Sequence, residues 1–351
     1  MSSSLLDRAT ASCTNHRCEE AVDLLERAVR KQPANSELLY RLGICYSGGC
    51  RQNSLTNPDL AVEYLRRALS LTASSKDPLF CAGILDALGN AYVYSRHLPR
   101  KARLVAALDC HRTASALYKS RNQLDDWARE EYNQGNAWCE LPEEEYRDKW
   151  QQAILHYEQA LQVRTRDKNP LRYAATLQNL GTAYRQLKSG DQIANVLKAA
   201  DCYRCALQVF DLSAFPAQHA ALSNNLGNAF LTLAMADEKI KRRCARRALK
   251  HLDRALRVRT RAKNPADYAV TQYNRGQAFL LLATEDSDDG YVKAAACFQE
   301  AHDCFLLCGQ AKSAKSARQQ IQRIRLMAAN QHARANLQGN EAAGQRDGEP
   351  E

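Results

Sequence analysis

Apolar residues recur along this chain at helical spacing, and the pattern itself repeats. Six glycines set the beat: Gly43, Gly89, Gly135, Gly181, Gly227 and Gly276. A leucine one position before and an aromatic residue three positions after flank most of them, as Leu42/Tyr46, Leu88/Tyr92, Leu180/Tyr184 and Leu226/Phe230, while Trp138 follows Gly135 and Phe279 follows Gly276. Positions four apart share one face of a helix, so the spacing predicts a helix through every glycine. Four of the intervals are 46 residues and the last is 49. A fixed period of this length is the mark of a stacked helical-repeat protein. Mid-helix Gly costs about 1 kcal/mol against Ala, and six such costs at one phase imply a neighbouring helix too close to admit a Cβ.

That neighbour has its own pattern. Eighteen residues after the glycine begins A-x-x-x-(large)-x-x-A, as Ala61/Leu65/Ala68, Ala107/His111/Ala114, Ala153/Tyr157/Ala160, Ala199/Tyr203/Ala206 and Ala294/Phe298/Ala301. Ala248/Leu252/Ala255 is displaced by three inserted residues, and Ala21/Leu25/Ala28 stands before the first glycine. Small residues seven apart around one large knob describe a close helix-pair interface. Helix starts are marked by Pro78, Pro170, Pro216 and Pro265, each eleven residues before a glycine. Proline is favoured in the first helical turn, where its missing N–H has no partner to lose. Asp77, Asn169 and Asn264 precede three of them as expected caps.

Glycine, an aromatic three later, then the alanine pattern resembles the tetratricopeptide repeat, whose period is about 34 residues. The first copy keeps the short spacing, with fifteen residues from Ala28 to Gly43 and Pro33 where the motif's terminal proline belongs. The later copies are longer by twelve, and NPLRYAATLQNLGTAY (169–184) and FPAQHAALSNNLGNAF (215–230) resemble the long variant of bacterial arrays found with signalling or caspase-like (CHAT) domains. The resemblance covers roughly residues 17–305. It implies an all-α fold, a right-handed α-solenoid of about seven helix pairs. The expected organisation is a solenoid over 1–310 with a degenerate unit at 1–33, a capping helix over 311–335 and a disordered tail over 336–351.

In such arrays the glycine helices line the concave surface, and the resemblance implies that asparagines there hold the backbone of a bound peptide. This chain has a polar ladder at the matching places. Two residues before the glycine stand Asn133, Asn179, Asn225 and Asn274; one after it stand Asn90, Asn136, Thr182, Asn228 and Gln277. These places share a face, and each amide offers two donors and two acceptor lone pairs. The other reading of the ladder is hydrogen bonding between neighbouring repeats. Peptide-binding members clamp a terminal carboxylate with Lys at set points; here only Arg129 and Arg185 stand nearby.

Composition narrows the rest. With 45% hydrophobic and 25% charged residues the chain is an ordinary globular one. It has no apolar run of membrane length and no secretory signal at its start, so the cytoplasm is the expected location. Cys45, Cys110 and Cys244 occupy small-residue places in helices, as reduced buried thiols do. Cys202/Cys205 is a lone CxxC, and Cys13, His16 and Cys18 lack a partner pair at metal-site spacing. His111 fills a knob position and is expected in the core. The formal charge of +10 concentrates in Lys239–Lys250, Arg257/Arg259/Arg261, Arg164/Arg166 and the last helix. No nucleophile elbow, phosphate loop or zinc-protease motif is present. The expectation is a non-catalytic adaptor, without metal or cofactor, that binds a peptide or helix of another protein. The alternatives are a solenoid that binds nucleic acid along the basic stripe, and a regulatory subunit of an enzyme encoded elsewhere.

Overall fold

The computed structural model describes residues 18–48, 56–72, 77–283 and 289–344, the last seventeen as backbone alone. Among the described residues there are fourteen α-helices and no strand. The six glycines lie in α2 (Ser36–Tyr46), α4 (Pro78–Tyr94), α6 (Leu124–Glu140), α8 (Pro170–Gln186), α10 (Pro216–Ala236) and α12 (Pro265–Leu282). The alanine pattern lies in α1 (Cys18–Lys31), α3 (Pro58–Leu71), α5 (Arg100–Ser120), α7 (Lys149–Leu161), α9 (Gln192–Leu207), α11 (Lys241–Leu256) and α13 (Asp289–Leu307). A final helix, α14, runs Ala311–Gly344. This is the all-α solenoid architecture that the period predicts.

The period predicts one continuous array, but the packing groups the chain into two compact units, Met1–Ala183 and Tyr184–Glu351. In the first, each helix from α1 to α7 packs on the next. In the second, α9 to α14 do the same, and α10 also touches α12.

The glycines have the physical reason expected of them. A Cβ built on Gly43 would lie 2.5 Å from Leu65, on Gly89 2.7 Å from His111 and on Gly135 2.6 Å from Tyr157. In the second unit one on Gly227 would lie 2.8 Å from Leu252, and one on Gly276 3.0 Å from Phe298. In these five pairs the large residue of the alanine helix therefore rests on glycine backbone. Its two alanine flanks are fully buried at 61/68, 107/114, 153/160, 248/255 and 294/301.

Prolines open α4, α8, α10 and α12, and a further one, Pro58, opens α3. Asp77 accepts from the amides of Leu79 and Phe80, and Asn57 from those of Asp59 and Leu60. Asn264 stands at the start of α12 but its side chain makes no capping bond, contrary to expectation.

A further regularity joins consecutive repeats. Four residues past the second alanine of the motif stand Thr72, Tyr118, Arg164, Phe210, Arg259 and Phe305, and all six are buried. Twelve residues further on, five before the glycine where there is one, stand Ile84, Glu130, Thr176, Leu222, Thr271 and Ala317, all with no exposed surface. Both arginines donate to their threonine: Arg164 Nη1 to Thr176 Oγ1 at 3.0 Å and Arg259 Nη1 to Thr271 Oγ1 at 3.1 Å. Burial pushes the Arg164 guanidinium down to about 10, against which the face of Tyr132 at 4.5 Å is favourable.

Helix α14 closes the second unit. Ala314 and Ala317 pack on Cys304 and Phe305, and Ile321 and Ile324 on Phe298, while Lys312, Lys315, Arg318 and Arg323 are exposed. Its helical backbone continues to Gly344, nine residues past the boundary expected at 335. Residues 336–344 have no apolar period and hold two Gly and two Asn, but an α-helix satisfies its backbone groups within itself. Residues 345–351 of the expected tail, together with Cys13 and His16, lie outside the described residues.

Candidate functional site

The polar ladder and the knob helices of the first unit enclose two adjoining hollows, of about 690 and 160 Å³. Asn136 lines both; Asn90 and Asn133 line the smaller, Asn179 and Thr182 the larger. Tyr94, two-thirds exposed, borders both, and Trp150, Arg96 and Arg103 border the larger. The result is a groove that combines amides, aromatic faces and two guanidinium groups.

The amides differ in what they are already doing. Asn179 Nδ2 donates to Asn136 Oδ1 at 2.9 Å and to the Tyr132 hydroxyl at 3.1 Å, which ties α8 to α6. Asn136 Oδ1 also accepts from the Tyr157 hydroxyl at 2.8 Å, so the knob and the ladder are bonded together. Asn90 Nδ2 donates to Asp86 one turn back at 2.8 Å. The Asn133 side chain makes no hydrogen bond to another described residue and lines the smaller hollow. In the second unit Asn274 is buried and donates to Asn224 Oδ1 at 3.1 Å, joining α12 to α10. That corrects the expectation that its place lies on an open face. Asn225, Asn228 and Gln277 are half-buried. Arg185 is also half-buried, and its Nε is covered without a hydrogen-bond partner. The ladder is thus partly inter-repeat bonding and partly open amide.

Arg129 is committed to acids. Its guanidinium lies 2.9 Å from Asp86, 2.5 Å from Asp126 and 3.5 Å from Glu130 Oε1, and packs over the Tyr118 ring. Beside it His111 Nδ1 stands 2.7 Å from Glu130 Oε2, with the histidine 1% and the glutamate 0% exposed. Burial, and then the neighbouring Glu130 charge, raises the Asp86 carboxyl to about 6. Burial likewise raises Glu130 to about 7 and lowers His111 to about 4, which leaves the imidazole neutral. His111 is in the core, as its knob position predicts, but it is not merely packed.

A scan against protein-family models finds no match, and a search of curated proteins finds none either. Solved structures do match. The C-terminal part of a TPR repeat-containing protein from Cytophaga hutchinsonii is 16% identical, with 89% of this chain and 98% of that one covered at a TM-score of 0.56. The apo form of RapI is 14% identical, with 92% and 99% covered at 0.54. A tetratricopeptide repeat protein from Parabacteroides merdae is 14% identical, with 92% and 98% covered at 0.50. This chain has the tetratricopeptide-repeat fold.

Within that fold the knob and ladder columns fall where the repeat motif puts them, and the buried charges are the departure. Other knobs are Leu65, Tyr157, Tyr203, Leu252 and Phe298; only His111 is titratable in the neutral range. The column five before the glycine is otherwise Leu, Ile or Thr, and only Glu130 is an acid. His111 is legible as the odd residue of the knob column, and Glu130 only against its own column. The basic stripe is also reshaped by the tetratricopeptide-repeat packing. Arg164 and Arg259 are buried, and Lys241 opens α11, with Arg242, Arg243, Arg246, Arg247 and Lys250 exposed along that helix. No described helix is long and apolar enough to cross a membrane.

Proposed function

We propose that this protein is a non-catalytic adaptor whose first unit binds an extended segment of another protein in the groove bordered by Asn133, Asn136, Tyr94 and Trp150. The observation that carries the reading is the free amide of Asn133 beside the two-thirds exposed Tyr94 ring. A helix-lined groove of amides and aromatic faces matches the needs of a peptide: the amides pair with its backbone, and the rings cover its side chains. The fold supports the reading because arrays of helix pairs offer extended surfaces for partners. Asn179 belongs here as the residue that fixes the orientation of Asn136.

The test is peptide-display selection on the purified chain. Peptides enriched on the wild type are expected to bind Tyr94→Ala/Asn133→Ala about tenfold or more weakly, with the melting temperature unchanged. Peptides that bind the double variant equally well would overturn the groove. The nucleic-acid alternative separates by salt: affinity for an oligonucleotide would fall about 10³- to 10⁵-fold between 50 and 200 mM salt if six to ten phosphates were contacted.

A further inference from the structure

Arg129 is outnumbered. Asp86, Asp126 and Glu130 surround this one guanidinium, and His111 beside them is neutral. With all three acids ionised the cluster carries two net negative charges, and its inner members are shut from water. A carboxylate oxygen of Asp86 lies within 4.8 Å of one of Glu130, and neither is a donor when ionised. Glu130 Oε1 is buried and accepts no hydrogen bond; its nearest cation is Arg129 Nε at 3.5 Å. An uncompensated buried charge costs several kcal/mol. A proton or a cation held between these oxygens relieves that cost.

We propose that Asp86, His111 and Glu130 bind a divalent transition-metal ion, with zinc the best match to their chemistry. One ligand atom from each lies within 4.8 Å of the others. Tetrahedral ligands about 2.0–2.2 Å from a zinc ion stand about 3.3 Å apart, so small side-chain shifts close the shell. Imidazole nitrogen and carboxylate oxygen are both zinc donors. A charge of +2 cancels the cluster's net charge. The 160 Å³ hollow lined by His111, Asn90 and Asn133 gives room for a water as fourth ligand. Arg129 and Asn90 hold the Asp86 carboxylate from outside, the supporting role that outer residues take around metal ligands.

Three repeat columns support this independently. His111 is the one histidine among the knobs, and Glu130 the one acid five before the glycine. Asp86 is the one acid three before it, where the other copies have Tyr40, Tyr132, Gln178, Asn224 and Tyr273. All three exceptions converge on one point of the fold. The residues used elsewhere in these columns are aliphatic, aromatic or neutral polar, and none is an acid.

The experiment is titration of the full chain, freed of metal by chelator, with Co²⁺. One equivalent is expected to give visible d–d absorption without a thiolate charge-transfer band, together with a hyperfine-shifted imidazole N–H proton resonance and a higher melting temperature. His111→Gln and Asp86→Asn are each expected to weaken binding about tenfold or more, and Cys202→Ser/Cys205→Ser to leave it unchanged. The wild-type spectra decide the matter even if a variant does not fold. Absence of the d–d band at saturating Co²⁺, a spectrum dominated by thiolate, or absence of the shifted imidazole proton would overturn the site. So would a folded His111→Gln that binds as tightly as the wild type.

Discussion

Single positions here are constrained by what stands opposite them. Gly135 faces the Tyr157 ring at 2.6 Å from an added Cβ, so Gly135→Leu is expected to destabilise the first unit by about 1–3 kcal/mol or more through overpacking; a melting temperature equal to the wild type would contradict this. Asn179 and Asn133 occupy the same repeat position but differ in their bonds. Asn179→Ala removes two hydrogen bonds, an expected loss of about 1–3 kcal/mol at roughly 0.5–1.5 each. Asn133→Ala is expected to leave urea unfolding unchanged. His251 supplies a pH dependence. It stacks on Phe230, its Nδ1 is buried without a partner, and burial, then the charges of Arg254, Arg247 and Lys250, lower it to about 4. The unfolded chain then binds a proton that the folded one refuses, so this contribution to stability is present above about pH 6.5 and is lost as pH falls towards 4. His251→Leu should lose less stability than the wild type between pH 7 and 5 in parallel thermal melts.

At the level of helices, nearly everything was legible in the sequence. The glycine, the knob and the alanine flanks recur at fixed distances because each contact is made between neighbours in the chain, so a period in sequence becomes a period in space. What was not legible is which amides of the ladder are already bonded. Asn179 and Asn133 have the same local sequence position, and only the packing of α8 on Tyr132 and Asn136 separates them. The buried cluster escaped for a related reason: Asp86, His111 and Glu130 come from α4, α5 and α6, and nothing in their immediate neighbours marks them. The inter-repeat pairs allow a sharp test. Thr176→Val leaves a buried Arg164 donor unpaired and is expected to cost about 1–3 kcal/mol. Arg164→Phe with Thr176→Leu copies the pair at 210 and 222 and should recover most of that loss. A double variant less stable than Thr176→Val alone would refute the pairing.

For the molecule as a whole, the period led to one array and the packing gave two compact units. The last helix is the clearest case of an element needed by the whole. Phe298 and Phe305 are covered by the first four turns of α14. A chain ending at Gln310 would expose them, and it is expected to melt lower and to self-associate in size-exclusion chromatography. A monomeric truncation with unchanged melting would show that the second unit closes without it.

The paired positions twelve residues apart have a consequence for how such a chain can change. Arg bonds Thr at two of them, Phe305 packs with Ala317 at another, and the remaining places hold Thr72/Ile84, Tyr118/Glu130 and Phe210/Leu222. Each junction therefore carries a matched password, half on either side. Copies of one ancestral segment that acquired different halves can no longer trade places: a shuffled order would bury a guanidinium against leucine or a hydroxyl against phenylalanine. A chain with its repeats in another order would lose these pairings at the seams even where the helices themselves are interchangeable.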